Sequence, residues 1–82
     1  MQVKVLGTGC AKCKKLFAEA EKAIGDSGVQ AELSKVESID EILEYGVMMT
    51  PALVIDGQVV SVGKAAPARR IAVWLAEAAA KE

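Results

Sequence analysis

Cys10 and Cys13 are the only cysteines in the 82-residue chain, and they stand three positions apart. Two sulfurs so placed can alternate between dithiol and disulfide, hold a soft metal ion, or pack as small apolar groups. The chain has no histidine. Its absence excludes Ser–His and Cys–His nucleophilic chemistry and histidine-based metal sites within this chain. Thiol exchange needs none of these, because a thiolate is stabilised by positive potential alone. Lys12, Lys14 and Lys15 surround the pair, and a helix start at Cys10 would add roughly half a positive charge. Lysines in a first turn oppose the helix dipole at a cost of about 0.3–1 kcal/mol each, a local breach expected where function outweighs stability. Positions i and i+3 share a helix face and can close a short disulfide. Cys10 at the helix tip is therefore expected to be the attacking thiolate, and Cys13, one turn in and more buried, the resolving thiol. Lys12 and Lys14 are expected to activate the pair electrostatically.

The elements that must position this pair follow from apolar spacing. Met1 to Leu6 reads as a strand with Val3 and Val5 on one face, broken by Gly7-Thr8-Gly9. From Cys10 to Ile24 the apolar positions Cys13, Leu16, Phe17, Ala20, Ala23 and Ile24 form a helical stripe, with Gly25 and the following Asp26-Ser27-Gly28 expected to stop it. Val29, Ala31 and Leu33 alternate with polar residues as a second strand. The resulting βαβ unit implies parallel strands with a right-handed crossover. Ser38 and Glu41 read as a capping box opening a short helix that ends at Tyr45 and Gly46. Ala52 to Ile55, the Asp56-Gly57 turn and Gln58 to Val62 read as a hairpin. Pro67 suits the first turn of a last helix with its stripe at Ile71, Trp74, Leu75 and Ala78. Trp74 is expected to pack in the core.

Composition limits the remaining choices. At 82 residues the chain is expected to form one domain over 1–82, and 52% apolar with 26% charged residues argues for a packed core rather than disorder. A net charge of −1 without a basic run argues against a nucleic-acid partner. No uncharged run reaches the 18 or so residues of a membrane span, and with only the short apolar stretch Val3 to Leu6 ahead of Cys10 no secretory leader is expected. The expectation is a cytoplasmic monomer. In a reducing cytosol a close cysteine pair is catalytic or metal-binding rather than a structural staple.

Three segments, Leu6-Gly7-Thr8-Gly9-Cys10-Ala11-Lys12-Cys13-Lys14-Lys15, then Tyr45 through Thr50-Pro51 to Gly57, then Val59 to Gly63, resemble in order a thioredoxin-fold family. More narrowly they resemble the small glutaredoxin-like proteins called redox-active disulfide protein 2. The resemblance covers nearly the whole chain. It implies a minimal thioredoxin fold of the α/β class, βαβαββα, with a four-stranded mixed sheet and helices on both faces. It also implies a cis Pro51, with Thr50, Pro51 and Gly63 forming the substrate-binding edge beside Cys10. Where this chain departs from better-known relatives, the pair encloses Ala11-Lys12, Gly9 stands where thioredoxins have tryptophan, and residues 1–9 hold no acid. The carboxylate that assists proton transfer in thioredoxins is therefore expected to be missing. Gly63-Lys64-Ala65 is a reduced form of the glutaredoxin glutathione-binding pattern.

The activity so implied is thiol–disulfide exchange on protein disulfides, with no cofactor or metal and a separate thiol reductase as electron donor. Two other readings stay open on the residues alone. Gly7-Thr8-Gly9-Cys10-Ala11-Lys12-Cys13 is also similar to the metal loop of small copper chaperones, and two thiolates suit Cu(I), or Zn(II) in a shared site. Alternatively, basic residues 4–15 followed by a more acidic segment give an asymmetry that would let a docking module orient an acidic partner. Met48 is a possible soft contact beside the site, and Met49 is expected to fill a gap.

Overall fold

The computed structural model describes residues 1–9 and 11–80. Within it the chain runs β1 (Gln2–Leu6), α1 (Ala11–Ser27), β2 (Glu32–Val36), α2 (Ile39–Glu44), β3 (Ala52–Ile55), β4 (Gln58–Val62) and α3 (Ala68–Ala80). The two inner strands explain the layering. Side chains alternate across a strand, so the unbroken apolar run Ala52–Ile55 can be buried throughout only if both faces of the sheet are covered. Leu53 and Ile55 join Val3 and Val5 beneath Leu16, Ala20 and Ala23 of α1 and Ile71 and Leu75 of α3. On the opposite face Ala52 and Val54 join Leu6 and Val36 against Ile42 of α2 and Val47.

The strand order is β2-β1-β3-β4. β1 pairs in parallel with β2 from Gln2↔Glu32 to Leu6↔Val36, and antiparallel with β3 from Val3↔Ile55 to Leu6↔Ala52. β3 and β4 form the expected hairpin, closed at Asp56 and Gly57 with φ of 48° and 81°, the left-handed pair that a tight two-residue turn requires. This is the minimal thioredoxin fold, with a four-stranded mixed sheet and helices on both faces.

Several boundaries differ from the sequence reading. α1 passes through Gly25 and ends at Ser27, so within the expected Gly25–Gly28 stop it is Gly28, at φ 70°, that leaves helical geometry. β2 begins at Glu32 rather than Val29, because its register follows β1 and because Val36 is the residue it buries. Ser38 occupies the N-cap of α2, but its hydroxyl makes no capping bond, so the reciprocal capping box does not form. Asp40 and Glu41 in the first turn complement that helix end instead. Trp74 is only partly buried, packing against the core while the Arg70 guanidinium lies 5.7 Å from its ring centre.

One contact carries the sheet into the functional region. Gly7 N donates to Val36 O at 2.9 Å, extending the β1–β2 ladder one residue past Leu6. A β-carbon on Gly7 would overlap Cys13 Sγ and stand 3.1 Å from Cys13 Cβ. The lack of a side chain there lets the first turn of α1 sit directly on the end of β1. Replacement of Gly7 by Ala is expected to overpack this contact and cost about 1–3 kcal/mol. For a domain of this size that lowers the melting temperature by several degrees to roughly 20 °C, measurable by thermal unfolding; an unchanged melting temperature would show that the contact is not tight.

Candidate functional site

The C-terminal ends of β1 and β2 and the N-terminal end of α1 meet on one edge of the sheet, where ligands and reactive groups gather in α/β folds. Cys10, the predicted attacking thiolate, lies outside the described residues. Cys13 is described, in the first turn of α1 and 5% exposed. Burial suits a thiol that acts on an adjacent sulfur rather than on an incoming molecule.

Cys13 and Pro51 approach Gly7 together. The position of a Gly7 β-carbon, which overlaps the cysteine sulfur, is also 3.9 Å from Pro51 Cα. Pro51 is buried, Thr50 before it is exposed, and the bond between them is cis. Gly63 N donates to Pro51 O at 2.7 Å, which brings the end of β4 to the same loop. The structure thus gathers Cys13, Thr50, Pro51 and Gly63, four of the predicted site residues, from three separate parts of the chain.

Met49 does not fill a gap. It is 63% exposed and lies over Gly63, its Cε 3.4 Å from where a β-carbon on that glycine would stand. Met48 is 92% exposed. Together with Ile39 and Leu43, which are 63% and 57% exposed, it borders a hollow of about 220 Å³ that Thr8 and Thr50 also line. Apolar surface left uncovered beside Thr50 is available to a polypeptide partner.

The predicted lysines divide. Lys14 lines a small cleft, about 110 Å³, together with Cys13, while Lys12 is exposed outside that lining. Lys4 belongs to neither group. Its Nζ donates to Tyr45 Oη at 3.1 Å on the α2 side of the sheet. No acidic residue offsets the lysines within the first turn of α1.

Two further residues in the cleft escaped the sequence reading, Lys35 of β2 and Glu37 just beyond it. The Lys35 ammonium sits 4.7 Å from the ring centre of Phe17, so α1 holds it on the cysteine side of the sheet. The Glu37 carboxylate lies over Gly9, with Oε2 3.8 Å from where a β-carbon on that residue would stand. The signal was present but indirect: once Leu6 pairs with Val36, the residue after Val36 must emerge beside the loop after Leu6. Among the described residues no charged or polar side chain is buried.

Comparison with known proteins agrees with this geometry. A family model described as a thioredoxin domain matches residues 1–76. A thioredoxin of Methanothermobacter thermautotrophicus is 37% identical over 71 residues, covering 87% of this chain and 92% of that protein. A thioredoxin of Methanocaldococcus jannaschii is 37% identical over 62 residues, covering 76% of this chain and 71% of that protein. With its mixed sheet, its cysteine at the start of α1 and the cis-proline loop packed beside it, the chain belongs to the thioredoxin-domain family.

Proposed function

We propose that this chain is a thiol–disulfide oxidoreductase that cycles Cys10 and Cys13 between dithiol and disulfide while reducing disulfides in protein substrates. The observation that carries the reading is the convergence on Gly7 of the buried Cys13 sulfur and the Thr50–Pro51 loop. That convergence supports the reading because Cys13 follows Cys10 by three positions in the sequence and the exposed Thr50 lies on the loop that approaches Gly7 with Cys13.

The cycle needs nothing beyond these groups. The Cys10 thiolate attacks one sulfur of a substrate disulfide, forming a mixed disulfide and releasing the other substrate sulfur as a thiolate. Cys13 then attacks the Cys10 sulfur, closing the Cys10–Cys13 disulfide and expelling the second substrate thiolate. Two electrons have passed from the protein to the substrate, and a separate thiol reductase returns them. Thr50, Pro51 and Gly63 form the edge on which an extended substrate lies, and the apolar side chains of Ile39, Leu43 and Met48 add contact area at its side. No helix among the described residues is long and apolar enough to cross a membrane. The protein works as a cytoplasmic monomer in this reading.

Positive potential at the start of α1 sets the reactivity of Cys10. Lys12 and Lys14, with the helix terminus, are the groups expected to favour the Cys10 thiolate over the thiol.

Three variants test the mechanism directly. Cys10→Ser is expected to abolish reduction of a disulfide-bonded reporter protein, and Cys13→Ser to leave a covalent mixed disulfide visible by non-reducing electrophoresis. Retained reduction in Cys10→Ser would remove the dithiol cycle. Substitution of both Lys12 and Lys14 by Gln is expected to slow iodoacetamide alkylation of Cys10 at pH 7 by roughly threefold or more, from about 0.3–1 kcal/mol per charge at a helix end. The difference should shrink in about 1 M salt, where screening reaches about 3 Å. An unchanged rate at low salt would take the lysines out of the site.

A further inference from the structure

We propose that Glu37 is the proton-accepting residue for Cys13 in the resolving step, taking over from outside the buried core a role for which β1 offers no acid. This inference rests on the dithiol cycle proposed above and specifies how its second half proceeds.

The need arises from burial. Cys13 is 5% exposed, and its thiol must lose a proton as it attacks the Cys10 sulfur. The chain has no histidine to receive it. The cleft beside Cys13 is lined by three charged side chains: Lys14 from α1, Lys35 from β2 and Glu37 from the segment after β2. A protonated ammonium has no lone pair, so neither lysine can accept a proton, whereas a carboxylate can. The cleft volume of about 110 Å³ leaves room for water, whose share of liquid volume is about 30 Å³ per molecule. A water in that cleft would serve as the bridge between the sulfur and the carboxylate.

The fold brings Glu37 to this edge of the sheet. Leu6 pairs with Val36, and Gly7 N bonds Val36 O at 2.9 Å, so the chain leaves β2 alongside the loop that precedes Cys10. Gly9 carries no side chain at the point where the Glu37 carboxylate lies over that loop. The two lysines face the same space and keep positive charge beside the sulfur as negative charge develops on it.

The step balances as follows. The Cys13 S–H proton passes to Glu37, and the Cys13 sulfur forms a bond to the Cys10 sulfur. The bond between Cys10 and the substrate sulfur breaks, and its electron pair leaves with the substrate thiolate. That thiolate, or solvent, then recovers the proton from Glu37.

Stopped-flow reaction of the reduced protein with an excess of dithiobis-nitrobenzoate separates the two halves. The first released thionitrobenzoate reports attack by Cys10, and the second reports resolution by Cys13. In Glu37→Gln the first phase should be unchanged and the second slowed about tenfold near pH 6.5, below the usual range for a general base because water competes. The two proteins should converge above the ordinary thiol pKa of about 8.5, where solvent removes the proton. Glu37→Asp, which keeps the carboxylate, should recover part of the rate.

The sign of the effect discriminates against a purely electrostatic role. Removing a negative charge near Cys13 would favour its thiolate and speed the second phase. A second phase that is unchanged or faster in Glu37→Gln, or as slow in Glu37→Asp as in Glu37→Gln, overturns the proposal. Absence of the first phase from the unsubstituted protein would instead overturn the dithiol cycle itself.

Discussion

The contact between Gly7 and Cys13 is the constraint on which the rest of the site depends. A cysteine sulfur packs where the β-carbon of any other residue would stand, so the end of β1 and the first turn of α1 are held at one spacing. Because β1 is a central strand, that spacing is transmitted to both its neighbours. On one side Gly7 reaches Val36 of β2, and on the other Pro51 comes within contact distance before β3 begins. Protein interiors are close-packed and their elements move as units. The helix start, the β2 exit and the cis-proline loop are consequently positioned by one another rather than by separate devices.

This arrangement also distributes polarity in a way suited to exchange at sulfur. The core is wholly apolar among the described residues, with none of their polar or charged side chains buried. Charged side chains stay at the surface, and three of them, Lys14, Lys35 and Glu37, line the Cys13 cleft. The opposite side of the loop, at Thr50, is bordered by exposed Ile39, Leu43 and Met48. One side of the edge can thus tune and serve the thiols while the other offers uncharged contact surface. α2 is short, and its exposed apolar side chains point to a part in presenting that surface as well as in covering the sheet.

Particular elements show why local patterns led only part of the way. The strong periodicities of α1, α3 and β3 located those elements because each follows from side chains on one segment. β2 was displaced by three residues at its start, since Val29 and Ala31 alternate convincingly but the pairing with β1 selects Glu32–Val36. Ser38 and Glu41 had the right spacing for reciprocal caps, yet the helix opens without the serine bond. Met49 looked like packing material by type, and its exposure over Gly63 depends on how the hairpin returns.

By itself the sequence determined the chemistry available: two thiols at i and i+3, lysines around them, no histidine, and apolar spacings that admit few topologies. These are properties of residue type and local period, and they do not depend on what packs against what. Only the tertiary structure decided which side chains share the cleft with Cys13. Lys35 and Glu37 are more than 20 residues from that cysteine along the chain, and the parallel register of β1 and β2 brings them beside it. Only the tertiary structure, likewise, gave Gly7 its significance, since the need for a missing side chain appears when a sulfur occupies the space it would have filled.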